Sequence, residues 1–306
     1  MSIPLLIEAL CTMKAIIISR EQDGDRRRRI QASIPDLLDW SFLDASDGHR
    51  PGTLDVRYAK LIPRAFWGNE KIKPGAFGCF VSHYRAWLEC LRVNSPVLIL
   101  EDDVCFSRGH FLNIDAVNSH AWDIVLVNRA TVAWNFLNQE YKATRLIPFV
   151  SLRRRLALRA SRVSMERNIG DARIVTSLRE IVKSLVESSV TPDSHDTPGA
   201  CGYILTPEGA KKTLALADSL GVVVGVDWFM LGSAMSGTTL SGKWDLPGKV
   251  ARYFRNTEPV NVGVSGAWMV ESIDADVGGS VINHAQLFSI EEYAAKIGLF
   301  QKVKND

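Results

Sequence analysis

Val97-Leu-Ile-Leu-Glu-Asp-Asp103 is the stretch on which the fold of this chain turns. Four large apolar residues in a row, 97–100, are too few for a helix and have no polar face. That pattern fits a strand buried on both sides, as in the middle of a parallel sheet. Pro96 precedes it and three acids end it. In open α/β sheets ligands bind outside the carboxyl ends of the strands. Three adjacent carboxylates there repel one another until a positive charge arrives, and a hard divalent cation bridging them to a diphosphate would relieve that. Oxygen ligands suit magnesium or manganese. The plain alternative is a strand that ends in solvated acids.

Working outward, 74–91 carries Phe77, Val81, Tyr84, Leu88 and Leu91 every three or four residues behind Pro74. The spacing predicts a helix with one buried face and a proline in its first turn. Further upstream, 15–19 is an isoleucine-rich strand followed by the polar 20–29, read as a surface helix. The next strand, 40–43, ends in the acidic turn Asp44-Ala-Ser-Asp-Gly48. Downstream, 124–127 repeats the buried-strand pattern and completes an alternating β and α order. From about 150 to 190 two helical patterns appear, one of them rich in arginine (Arg153, Arg154, Arg155, Arg159, Arg162), and together they read as a helical insertion. The α/β pattern resumes at 203–205, where Thr206, Pro207 and Glu208 supply a cap, a first-turn proline and an early acid for a helix. A strand over 222–226 ends in Asp227. Residues 232–279 are glycine-rich and read as irregular, and Ser289 opens a last short helix.

Bulk properties narrow the function. The chain has 306 residues, 46% of them hydrophobic, and 36 basic against 34 acidic residues give a net charge of +2. A core of full size is affordable, and nothing in the balance of charge calls for a nucleic-acid partner. Five cysteines, Cys11, Cys79, Cys90, Cys105 and Cys201, form no metal-ligand spacing and read as reduced, buried thiols of a cytosolic protein. The first dozen residues make a poor signal peptide, and no apolar run is long enough to span a bilayer. The glycine pattern of a dinucleotide turn is missing after the first strand, where Arg20-Glu-Gln-Asp-Gly24 stands instead, so a dehydrogenase is disfavoured. A nucleotidyltransferase using acids and metal stays open.

Two stretches, Ile72-Lys-Pro-Gly-Ala-Phe-Gly-Cys-Phe-Val-Ser-His-Tyr-Arg-Ala-Trp87 and Val97-Leu-Ile-Leu-Glu-Asp-Asp-Val104, together resemble the signature of glycosyltransferase family 25. That family includes lipooligosaccharide galactosyltransferases and, more distantly, collagen galactosyltransferases. The resemblance runs in order through Arg26 to Arg29, Phe42-Leu-Asp-Ala-Ser-Asp-Gly48, Gly199-Ala-Cys-Gly-Tyr-Ile-Leu-Thr-Pro-Glu-Gly-Ala210 and Val226-Asp-Trp-Phe229. It implies an α/β fold of the GT-A type: a Rossmann-like half over 13–130 binding a nucleotide sugar, the helical insertion at 150–190, and an acceptor-side half over 197–306. It also implies a UDP-sugar donor, galactose as the sugar, inversion at the anomeric carbon, and a saccharide or lipid-linked acceptor in lipopolysaccharide synthesis. Some members have lost activity, so an inactive sugar-nucleotide-binding protein is a further alternative.

On that resemblance Asp103 contacts Mn²⁺ or Mg²⁺, with Glu101 on the same side of the strand by its period of two, while Asp102 points to the donor's ribose or sugar hydroxyls. Asp227 is placed for the base that activates the acceptor hydroxyl; capping the following helix is the bland alternative, and the two roles are compatible. Ser82 and His83 are assigned to donor phosphate or sugar, against an ordinary core role for a histidine beside Tyr84 and Trp87. Asp47 is a candidate for ribose or base contact, against a purely conformational acidic turn. The Arg26 to Arg29 run reads as a solvated helix face, with Arg27 the exception that would steer diphosphate. His284 is weighed as a late metal ligand and read as a surface histidine. The arginine-rich segment suits peripheral contact with an anionic membrane at its cytoplasmic face, or simply the charged outer face of a packed helix.

Overall fold

The computed structural model describes residues 13–36, 38–50, 54, 56–62, 71–106, 122–128, 175–180, 200–222, 225–237, 254, 256–265, 269–272 and 288–289. The N-terminal elements follow the apolar pattern closely. Strand β1 (Lys14–Ser19) is followed by helix α1 (Gly24–Ser33), strand β2 (Asp39–Asp44) and a 3-10 turn at Val56–Leu61. A two-residue strand β3 (Lys71–Ile72) leads into the long helix α2 (Pro74–Val93) and then into β4 (Val97–Glu101) and β5 (Val104–Phe106). Pro74 occupies the first turn of α2, and Asn94 ends it in the left-handed conformation with φ 55. Three strands, β6 (Ile124–Leu126), β7 (Val175–Ser177) and β8 (Gly202–Leu205), are followed by helices α3 (Pro207–Leu220) and α4 (Val226–Ala234) and then by strand β9 (Val262–Ser265). Short strands β10 (Val270–Ser272) and β11 (Phe288–Ser289) complete the described chain.

Among the described residues, seven strands form one sheet in the order β2-β1-β4-β8-β6-β9-β7. β1 runs parallel to both β2 and β4, and β6 parallel to β9, as an alternating β and α chain dictates. β8 is antiparallel to β4 and to β6, and β7 is antiparallel to β9, so the sheet is mixed. The all-apolar look of Val97 to Leu100 comes from burial on both faces: Val97, Leu98, Ile99 and Leu100 are all fully buried, and burial, not parallel pairing alone, sets that composition.

Five expectations are corrected. Val222 is a bend and Val226 already belongs to α4, so Asp227 stands in a first helical turn behind the cap residue Gly225 and not at a strand end. Valine's preference for strands is overridden here by packing of α4, whose Phe229 meets Phe80, Trp87 and Phe254 at ring separations of 5.0, 5.9 and 5.5 Å. Residues 175–177 are an edge strand, whereas the expected insertion was helical; the rest of 150–190 lies outside the described residues apart from 178–180, which are helical. The stretch 232–279 read as irregular contains β9, a member of the main sheet, and Ser289 ends β11. On α2 the buried face is Phe77, Phe80, Val81, Tyr84 and Trp87, while Leu88, expected inside, is 42% exposed. Among the described residues no helix is long and apolar enough to cross a membrane.

The packing of α2 against the sheet is close because two glycines allow it. A Cβ on Gly78 would stand 2.5 Å from the backbone nitrogen of Gly48 and from the carbonyl oxygen of Ser46. Helix α2 therefore presses its backbone onto the turn after β2, and that contact forms one wall of the site described next.

Candidate active site

Parallel pairing brings the carboxyl ends of three strands together. Ile18 stands opposite Glu101, so Ser19 falls beside the turn made by Asp102 and Asp103, and Ser19 also pairs with Asp44 of β2. A cleft of about 160 Å³ opens there, walled by Ser19, Arg20, Arg26, Asp47, Cys79, Glu101, Asp102 and Asp103 among others. A larger polar hollow of about 430 Å³ shares its 45–47 edge and adds Asp44, Arg50, Arg57, Tyr58 and Arg85.

The three acids are held in different ways. β4 ends at Glu101, and Asp102 and Asp103 form the turn to β5, so strand alternation does not govern their directions. Asp102 is buried; its Oδ2 accepts from the Ser19 hydroxyl at 2.6 Å and its Oδ1 from Arg26 at 3.2 Å. Burial pushes its carboxyl up, and the Ser19 and Arg26 bonds pull only part of the way back. Asp102, expected to contact donor hydroxyls, does line the cleft and also serves as an anchor, bonded to Ser19 of β1 and to Arg26. Glu101 reaches the other way, to His83 Nε2 at 3.0 Å. Its burial raises the carboxyl, but the His83 hydrogen bond and the favourable electrostatic interaction with His83 outweigh that, and the net direction is downward. Asp103 lines the cleft with Glu101, and the charges of both bear on the thiols of Cys79 and Cys201.

Behind Glu101 lies a buried chain of hydrogen bonds. Trp87 Nε1–H, which can only donate, gives to Tyr203 Oη at 2.9 Å, and Tyr203 Oη stands 2.8 Å from His83 Nδ1. An ionised Glu101 requires His83 Nε2 to carry a proton, which leaves Nδ1 to accept from the tyrosine hydroxyl in the neutral ring. The His83 ring is fully buried and stacked on Tyr203 at 5.7 Å. Both ring nitrogens are engaged by neighbouring side chains here, so in this arrangement His83 positions Glu101, and it is not part of the cleft lining. Ser82 is equally buried: its hydroxyl accepts from Ser46 N at 2.8 Å and donates to Gly78 O at 2.7 Å, tying α2 to the turn. Both residues lie two turns into α2, too far from its N-terminus for free backbone donors.

Asp227 is near enough to Glu101 for the two charges to act on each other. Its Oδ1 accepts from the backbone N–H of Ala200, just before β8. Burial, then the Glu101 charge, pushes its carboxyl up to about 6 against the pull of Ala200 and His83. It is half-buried, and it is not part of the cleft lining. Arg27 clamps strand ends: it donates to Ser19 O at 2.8 Å, to Ser19 Oγ at 3.2 Å and to Asp44 at 3.4 Å, and it covers the Phe42 ring at 4.6 Å. Its neighbour Arg26 is the one that reaches the cleft, a choice set by helix phase. Asp47 lines both compartments, and its Oδ1 accepts from His49 N at 2.9 Å, the conformational turn that its sequence also allowed. His284 lies outside the described residues.

Sequence reasoning missed Ser19, Arg20, Arg26 and Cys79. The five cysteines show no metal-ligand spacing among themselves, whereas the relevant spacing is Cys79 to His83, four residues apart on one helix. Those two and Glu101 place three metal-ligand atoms within 4.8 Å of one another.

Comparison with known proteins gives relatives of one kind. The chain is 30% identical over 131 residues to the human protein named Inactive glycosyltransferase 25 family member 3, a match spanning 39% of this chain and 22% of that one. It is 38% identical over 61 residues to a Glycosyltransferase 25 family member of Anopheles gambiae, covering 18% of this chain and 10% of the mosquito protein. A counterpart in Aedes aegypti is 28% identical over 124 residues, 37% of this chain and 20% of that protein. The matched stretches are thus about a fifth or less of these relatives' own lengths. Among solved structures, apo mouse xyloside xylosyltransferase 1 aligns over 87% of this chain and 86% of its own, with 9% identity and a TM-score of 0.33. Residues 12–230, well over half of the chain, match the family described as Glycosyltransferase family 25 (LPS biosynthesis protein), and to that family this chain belongs.

Proposed function

We propose that the protein is a metal-dependent glycosyltransferase that moves a sugar, galactose, from its UDP conjugate to a saccharide or lipid-linked saccharide acceptor in lipopolysaccharide or other surface-glycan synthesis, with inversion. The observation that carries this is the meeting of Glu101, Asp102 and Asp103 with Ser19, Arg20 and Arg26 in one cleft at the carboxyl ends of β1, β2 and β4. Family membership adds the class of reaction. The residues fit a hard cation: Glu101 and Asp103 offer carboxylate oxygens on the cleft wall, the donor set that Mn²⁺ or Mg²⁺ takes. Such a cation, when bound by these two, supplies neutralisation of the charge that develops on the departing diphosphate.

The chain's own residues supply the rest. Arg26, anchored on Asp102, and Arg20, held by Asp23 at 2.7 and 3.0 Å, give the cleft a positive side for phosphate. The adjoining hollow, of a size suited to a small organic ligand, would take the nucleoside along Asp47. A saccharide hydroxyl attacks the anomeric carbon as the bond from that carbon to the diphosphate oxygen breaks, and the hydroxyl proton passes to Asp227. A carboxyl near 6 is matched to that task at neutral pH. Placement at the cytoplasmic face of the membrane, through the arginine-rich segment of 150–190, belongs to the same proposal.

A second reading has its own observation: the human and bovine relatives bear the word inactive in their names. On that reading the cleft binds a sugar nucleotide without turnover. Product analysis with a panel of UDP-sugars and simple saccharide acceptors, in manganese, magnesium or chelator, separates the cases. Metal-dependent release of UDP from one donor supports transfer and names the sugar. Pyrophosphate as product points to a nucleotidyltransferase, and UDP binding without turnover to an inactive member.

A further inference from the structure

Cys79 and His83 stand one helical turn apart on the same face of α2, the i and i+4 relation that brings side chains together. Glu101, at the end of β4, closes the third corner. Cys79 Sγ is 3.7 Å and His83 Nε2 is 3.0 Å from the same carboxylate oxygen, Oε1 of Glu101. Around a tetrahedral zinc ion, with bonds of about 2.0 Å to nitrogen and oxygen and about 2.3 Å to sulfur, ligand atoms stand roughly 3.3 to 3.6 Å apart. Two edges of the observed triangle, 3.0 and 3.7 Å, lie within about 0.5 Å of that, and the third, under 4.8 Å, within about 1.3 Å. Adjustment of side chains alone would close it.

The donor set also selects the ion. A thiolate and an imidazole are soft to borderline ligands that favour zinc over magnesium or manganese. Behind the histidine the support that metal sites use is already present. Tyr203 Oη holds Nδ1 at 2.8 Å, and Trp87 holds the tyrosine at 2.9 Å, so the buried ring is fixed with Nε2 aimed at the carboxylate. With a metal on Nε2, the neutral ring carries its proton on Nδ1 and donates it to Tyr203 Oη, whose two lone pairs accept from both Trp87 and His83. One proton leaves for solvent, that of the Cys79 thiol.

We propose that Cys79, His83 and Glu101 form a zinc site in the wall of the cleft, with three protein ligands and the fourth position open to the cleft, which Cys79 and Glu101 line. Occupation by zinc withdraws Glu101 from any hard cation, so zinc inhibits the reaction that manganese or magnesium supports. The site itself stands on the distances above; the inhibition rests on the function proposed in the preceding subsection.

The test uses the full chain stripped with chelator and titrated with Co²⁺, a spectroscopic stand-in for zinc. Expected is a thiolate-to-cobalt absorption that saturates at one ion per chain, is displaced by Zn²⁺, survives C105S and is lost in C79S and H83Q. In the unaltered protein, Zn²⁺ should slow alkylation of Cys79, read by peptide mass spectrometry, by about tenfold or more. Absence of the cobalt–thiolate band, its survival in C79S, or alkylation of Cys79 at the same rate with and without Zn²⁺ overturns the site. The alkylation experiment decides the matter even if C79S fails to fold. Neither readout depends on transfer, so a protein without turnover leaves them intact. Undiminished transfer with zinc bound at Cys79 overturns the shared use of Glu101.

Discussion

Replacing Asp227 by Asn should make the protein more stable and less active, and the stabilisation should depend on pH in a defined direction. The Asp227 carboxyl titrates at about 6 in the fold against an ordinary value of 3.8. A raised folded value means that the native state holds the proton more tightly than the unfolded chain. Stability is therefore lost as pH rises from about 4 through about 6, and Asp227 ionised in place costs about 3 kcal/mol at about 1.4 kcal/mol per unit. Asparagine has nearly the same shape and its carbonyl oxygen still accepts from Ala200 N–H. D227N should match the native chain near about pH 3, where the acid is protonated in both states, and exceed it by up to about 3 kcal/mol near pH 7. Urea denaturation of both proteins at several pH values, in chelator so that no cation compensates the charge, reads this directly. Transfer activity should fall by about 10² to 10⁴ if Asp227 takes the acceptor proton. A stability difference that is flat with pH, or that favours the native chain near pH 7, refutes the electrostatic reasoning.

Other expectations follow from the same contacts. Y203F removes the hydroxyl that joins Trp87 to His83 and leaves two buried ring nitrogens short of a partner; thermal or urea melts should show a loss of about 1 to 3 kcal/mol. S19A takes from Asp102 its 2.6 Å donor and from Arg27 an acceptor, at a similar cost, and should weaken UDP binding measured by calorimetry because Arg26 loses its fixed anchor. In G78A the new methyl meets the backbone of Gly48 and Ser46 at 2.5 Å, so α2 must move off the turn; about 1 to 3 kcal/mol of stability should go, and nucleotide affinity with it.

The order of elements through Val97–Glu101 was legible because those segments bury whole faces, and burial writes itself into apolar runs and periodic spacing. So was the Thr206 cap, whose hydroxyl accepts from Gly209 N at 3.0 Å just before Pro207. The sheet's mixed sense was not, since a four-residue buried strand such as Gly202–Leu205 looks alike in either direction. β9 escaped because Gly263 and Ser265 break its apolar pattern, and packing of its backbone against neighbours holds it. Of the site, the acids at the end of β4 were visible as a cluster, but their roles depend on a turn at Asp102 and Asp103 that period-two reasoning carries past its limit. Arg26 and Arg27 are adjacent in sequence, and only the phase of α1 against β1 decides which of them reaches Asp102. The Cys79, His83 and Glu101 triangle needs α2 laid across β4, a tertiary fact.

The most direct test of the central claim is release of UDP by the native chain and by D103A, with a turned-over UDP-sugar, an acceptor and manganese. The account predicts release by the native chain that chelator abolishes, and a loss in D103A of about 10³ or more, as expected for several kcal/mol of charge stabilisation. Undiminished release by D103A, or release indifferent to metal, would contradict it.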